Sequence, residues 1–156
     1  MSVSTPMSSS GTKTATAELL GKLFKNVKMG SESIIGLLPK VEDVKFKSDM
    51  TLQLNGYESF AAKINALLRD AGEKPEEESM MTKVSAKIGS TMNTLMDSSV
   101  SHLADMMIQG STMGVTDTIK LLREFENTNA SETALGLARD IIKFEEQNIE
   151  RLKPYL

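Results

Sequence analysis

The sequence contains no cysteine, which removes disulfide frameworks, thiolate zinc sites, iron–sulfur clusters and cysteine nucleophiles together. A thiol-free chain suits a reducing cytoplasm, and a cytoplasmic location is expected. Tryptophan is also absent and aromatic residues make up only 4% of 156 positions, so a core has to be built from aliphatic side chains and methionine. No apolar run approaches the ~20 residues that cross a bilayer. Met1 to Thr12 is rich in Ser and Thr and has neither the basic start nor the apolar stretch of a signal peptide. Neither a membrane span nor secretion is expected. An excess of one charge is missing as well: 18 basic and 21 acidic residues are mixed along the chain, leaving no basic stripe to neutralise phosphates. Nucleic-acid binding is disfavoured.

What remains is one domain's worth of helix-forming sequence. Residues 1–13 read as a flexible tail too polar to offset its own ordering entropy, and 14–156 as a single helical domain without strand-like alternation. Gly and Pro divide that domain into five segments. The first runs from Thr14 to Leu38 with Leu20, Leu23, Val27, Gly30, Ile34 and Leu37 on one stripe, and Pro39 closes it. The second starts after Asp43 and continues to Ala71 through Met50, Leu54, Tyr57, Ala61, Ile64 and Leu68, with Gly72 as its stop. A shorter third begins at Pro75, where the acidic Glu76, Glu77 and Glu78 complement the helix dipole, and carries Met81, Val84, Ile88, Met92 and Leu95. The fourth opens near Ser98 or Ser99 and reaches Glu126 through Leu103, Met106, Gly110, Met113, Asp117 and Leu121. The fifth is predicted to start at Asn129, with Glu132 completing a capping box, and to run to the end through Leu135, Ala138, Ile142, Glu145, Ile149 and Leu152.

Short links after the first and fourth segments make two antiparallel hairpins, joined by a long crossover that holds the short helix. Glu145-Glu146-Gln147-Asn148-Ile149-Glu150-Arg151-Leu152 resembles the last-helix pattern Glu-Glu-x-His-Ile-x-x-Leu of ferritin-like proteins, with Asn148 in place of His. Tyr57-Glu58-Ser59-Phe60-Ala61 resembles their second-helix Glu-x-x-His, with Ala61 in place of His. Residues 15–156 as a whole resemble a group of uncharacterised short bacterial proteins of this fold, especially through Ser101 to Gly114. The resemblance implies an all-α, ferritin-like four-helix bundle with a degenerate di-metal site. A complete site takes a Glu from each of two helices and Glu-x-x-His from each of the other two. Here only Glu58 and Glu145 stand in register, Gly30, Gly110 and Gly114 occupy stripe positions, and Glu32 is turned from the seam by its stripe assignment. The expectation is a scaffold or interaction protein without catalytic residues or cofactor. The alternative is an oxygen-ligated Fe or Mn protein using Glu58 and Glu145 with Asp117, Glu32 or His102.

His102, the only histidine, shares a helix face with Asp105 and could join it at one ion, although a lone first-turn His more often bonds backbone or water. Asp117 on an apolar stripe requires a partner, with Lys28, Lys63 or Glu145 in reach, unless the stripe is misread by one residue. Gly110-Ser111-Thr112-Met113-Gly114 permits close helix approach and does not resemble a phosphate loop. Seven methionines fall between Met80 and Met113, which suggests either a soft core or a groove for an apolar ligand or peptide, decided by the exposure of Met80, Met81, Met92 and Met96. A second stripe on the last helix, Leu137, Ile141, Phe144 and Tyr155, suggests a second contact and hence a homodimer.

Overall fold

The computed structural model describes residues 14–76 and 95–156. Four long helices make up this part: α1 (Ala15–Leu37), α2 (Val44–Asp70), α3 (Val100–Glu126) and α4 (Glu132–Leu152), with single 3₁₀ turns at Leu38–Lys40 and Lys153–Tyr155. No strand occurs among the described residues. The segment read as a short helix from Pro75 lies almost wholly outside them, as does the tail before Thr14.

Each helix begins where a short oxygen-bearing side chain can accept an otherwise unpaired N–H. Thr14, Asp43, Ser99 and Ser131 accept from Ala17, Phe46, His102 and Ala134 respectively. The last of these corrects the expected start at Asn129. Thr16 accepts from the Ser131 N–H at 2.9 Å, and Ala130 is buried, so the chain is tied to α1 before it can turn into a helix. Helix α2 ends as its sequence suggests. Gly72 adopts φ +77°, and the N–H groups of Gly72 and Glu73 return to the carbonyls of Arg69 and Leu68 at 2.9 and 2.8 Å, a double closure that needs a left-handed residue. Gly72→Ala has open space for its methyl, so backbone strain alone should act. We expect a loss of about 1 kcal/mol in a urea melt, and an unchanged midpoint would refute this account of the cap.

Cross-helix contacts give the directions. Lys22 reaches Glu124 at 3.5 Å and Asn26 reaches Thr118 at 3.4 Å, so α1 and α3 are antiparallel. Tyr57 bonds Glu145, and Tyr155 bonds Asp49 near the start of α2, so α2 and α4 are antiparallel as well. With a short link inside each hairpin, α2 and α3 run parallel. Around the bundle the order is α1, α2, α4, α3.

The predicted stripes of α1 and α2 are the buried ones, apart from half-buried Gly30. On α3 the seam is displaced. Leu103, Ala104, Met107, Ser111, Thr118 and Phe125 face inward, whereas Gly110, Met113 and Asp117 do not. The inward face is turned by about one residue from the stripe that spacing predicts, with Ser111 and Thr118 in place of Gly110 and Asp117, and its small side chains leave room for the Tyr57 ring and the Glu145 carboxylate in the middle of the bundle. The second stripe of α4 is consumed inside the fold, which removes the basis for the expected dimer face. Leu137 and Ile141 are buried, Phe144 packs edge-on against Tyr57 and Phe60, and Tyr155 against Phe46.

Candidate functional site

Buried polar side chains collect at the middle heights of the bundle. Ser31 and Glu32 of α1, Gln53 of α2, Ser111 and Thr118 of α3, and Glu145 and Asn148 of α4 are each no more than 7% exposed. Apolar layers close both ends. Leu37, Phe46, Met50, Leu103 and Leu152 form one, and Ala17, Leu20, Leu68, Phe125 and Ala134 the other.

At this polar level α1 and α3 part to leave a cavity of about 450 Å³. Its walls are apolar, with Met29, Ile34 and Leu37 on one side and Met106, Met107 and Met113 on the other. Its floor is polar and comes from the far helices: Gln53 and Tyr57 of α2, and Glu145 of α4. Lys25 and Asp117, both exposed, and half-buried Lys28 stand at the rim.

Two glycines make the floor possible. The Tyr57 ring lies across Gly30, and the Glu145 carboxylate lies against Gly114; a Cβ at either glycine would overlap its neighbour. Brought together in this way, Tyr57 Oη donates to Glu145 Oε1 at 2.7 Å in a fully buried bond. The rest of the floor is unsatisfied. Among the described residues Glu145 Oε2, Gln53 Nε2 and Asn148 Nδ2 are buried and make no hydrogen bond, a condition that costs ~1–3 kcal/mol per group. Burial pushes the Glu145 carboxyl from its ordinary 4.5 up to about 7, with the Tyr57 bond opposing the rise and the charge of Asp117 adding to it. Tyr57 is held well above its ordinary value by burial first and by the adjoining Glu145 charge second. The pair therefore carries at most one negative charge near neutrality, and Glu145 is poised to gain or lose a proton.

The candidate metal ligands are dispersed. Glu145 is on the seam, but the group facing it from α2 is Tyr57 rather than Glu58, which is one residue and ~100° further round the helix and only half-buried. Burial nonetheless raises the Glu58 carboxyl somewhat. Glu32, assigned away from the seam, is in fact 7% exposed and lines the cavity. Asp117 is exposed at the rim, because the inward position belongs to Thr118. Lys63 lies over the Phe60 ring at 5.3 Å. His102 and Asp105 sit at the start of α3, with Asp105 exposed and the His102 N–H donating to Ser99 at 3.3 Å. Among the described residues no three His, Asp or Glu side chains converge closely enough to hold a metal ion. Asn148 and Ala61 are both buried at the seam.

Of the four methionines that were to decide for a groove, Met80, Met81 and Met92 lie outside the described residues, and Met96 is 98% exposed. The methionines that do line a recess are Met29, Met106, Met107 and Met113. Gln53 was overlooked although its spacing, three residues after Met50 and four before Tyr57, puts it on the buried face of α2. Gly110 opens on the cavity with nothing within 4 Å of where a Cβ would stand. No known protein family, curated protein or solved structure matches this chain.

Proposed function

We propose that this chain is a non-catalytic, ferritin-like bundle that binds an elongated amphipathic small molecule in the cavity between α1 and α3. The observation that carries the reading is the unpartnered Glu145 Oε2 on the cavity floor. A folded chain gains nothing from a desolvated, unsatisfied carboxylate oxygen, whereas a ligand group reaching it would recover the missing bond. Supporting it are the apolar walls, a volume within the ~300–1,000 Å³ of small-molecule sites, and a length from Asn26 to Leu37 of about 16 Å at ~1.5 Å per helical residue. The two antiparallel hairpins with parallel α2 and α3 support the ferritin-like assignment. Where the resemblance puts a metal pair, this chain carries Tyr57, Glu145 and Asn148 beside an open recess.

A neutral naphthylamine dye whose emission rises in apolar surroundings tests this. We expect one dye per chain, and at least a tenfold loss of affinity in Gly110→Leu, which adds bulk at the cavity lining from a Cβ position with nothing within 4 Å. That variant should not be unstable, because replacing a helical glycine gains about 1 kcal/mol. Dye binding that is absent, or indifferent to Gly110→Leu, would refute the cavity as a binding site.

A further inference from the structure

The charges around the cavity are arranged by depth. The innermost are acidic: Glu145 on the floor and Glu32 on the wall are 3% and 7% exposed. The basic groups lie further out, Lys25 exposed and Lys28 half-buried on α1, and Asp117 adds a further negative charge at the rim on α3. From α2 the group facing Glu145 is Tyr57, which already donates to Oε1 and leaves Oε2 as the buried oxygen without a partner, on a residue that lines the cavity. On the floor one turn along α2, Gln53 presents an N–H without an acceptor. The apolar end, Leu37 with Met106 and Met107, lies beyond Gln53 in the same direction.

From this order we infer that the ligand is an amphipathic amine, its ammonium group donating to Glu145 Oε2 and its hydrocarbon chain lying along the methionine-lined wall toward Leu37. This rests on the cavity being a binding site at all. A carboxylate head is disfavoured by the two buried acids it would face, and like charges in a poorly solvated recess repel strongly. A neutral hydroxyl can bond Oε2 but brings no charge to oppose that of Glu145. The unpaired Gln53 N–H adds a finer requirement, an acceptor on the ligand about one helical turn, ~5 Å, from the nitrogen. Because the amine requires ionised Glu145, its binding draws on the same proton equilibrium that burial has moved to about 7. Tyr57 stays protonated, while Glu32, Asp117, Lys25 and Lys28 set the surrounding field.

Decylamine, decanol and decanoate, each below its aggregation concentration, compete for the bound dye. We expect decylamine to displace it at least tenfold more tightly than decanol, and decanoate to be weakest. The amine affinity should rise roughly thirtyfold from pH 5.5 to 8.5, following ionisation of one group of pKa about 7, with decanol unaffected. Glu145→Gln should lose both the amine preference and its pH dependence, so that amine and alcohol compete for the dye alike. Equal binding of amine and alcohol, each weakened by Gly110→Leu, would overturn the amine inference and leave the cavity reading intact. Failure of all three compounds, with no dye bound, would overturn both. Amine preference that survives unchanged in Glu145→Gln would overturn the assignment of Glu145 as the recognising group.

Discussion

Glu145→Gln is expected to make the protein more stable, by roughly 3 kcal/mol at pH 8, and to leave its stability unchanged near pH 4.5. The folded chain holds the Glu145 proton up to a pKa of about 7, whereas the ordinary value is 4.5. Below pH 4.5 the group is protonated in both states and contributes no penalty. As pH rises through that window the unfolded chain ionises first, folding becomes progressively less favourable, and above pH 7 the full cost of burying the charge is present. Glutamine keeps an acceptor for the Tyr57 hydroxyl and carries no charge at any pH. Urea melts of both proteins from pH 4.5 to 8 would show the gap opening as pH increases. Parallel curves would mean that Glu145 is not destabilised by burial. A gap that opens in this way would mark Glu145 as placed for a use other than stability, the use that the proposed ligand would give it.

Gly30→Ala should have the opposite effect, a loss of about 2 kcal/mol. Alanine is the better helix former by ~1 kcal/mol, but its methyl would enter the Tyr57 ring, which is 4% exposed and fixed by its bond to Glu145 and by Phe144 at 5.0 Å between ring centres. Inserting a carbon into a packed core costs ~1–3 kcal/mol, and more where the neighbour is held from several sides. Gly110→Ala is the internal control. It meets nothing within 4 Å and should gain about 0.5–1 kcal/mol. If both glycines respond alike in thermal melts, close approach of Tyr57 to α1 is not what Gly30 provides.

The legibility of these features in the sequence follows from how each is encoded. Helix starts at Thr14, Asp43 and Ser99 and the stop at Gly72 are local, so they could be read from a few neighbouring residues. The buried faces of α1 and α2 are marked by large apolar side chains at regular spacing. The face of α3 was displaced because its inward residues at mid-height are Ser111, Gly114 and Thr118, which carry little hydrophobic signal. What selects them is the bulk arriving from other helices, Tyr57 from α2 and Glu145 from α4, and that is a property of the assembled bundle. The same displacement put Asp117 inside, whereas it is exposed; Glu32 is buried beside a correctly read α1 stripe because the buried face of α1 is wider than that stripe. The displacement also concealed the cavity, since an empty volume between α1 and α3 is written in neither helix alone. Glu145 stood out as an acid on an apolar stripe, but its partner was legible only once α2 and α4 were known to be antiparallel.

The cavity lies where α1 of one hairpin meets α3 of the other. Inside each hairpin the helices are held by a short link and by dense packing, whereas this seam is spanned at one end by the Lys22–Glu124 and Asn26–Thr118 contacts and is open toward Leu37 and Met106. Spreading the two hairpins there as rigid arms, pivoting at the Lys22 end, would admit a chain-like molecule without breaking either hairpin, at the cost of loosening the Tyr155–Asp49 bond and the Phe46–Tyr155 contact across the opposite seam. Entry and release would then proceed by a hinge motion along a boundary the topology already provides, and the stiffness of that hinge, more than the depth of the recess, would set how long a guest stays.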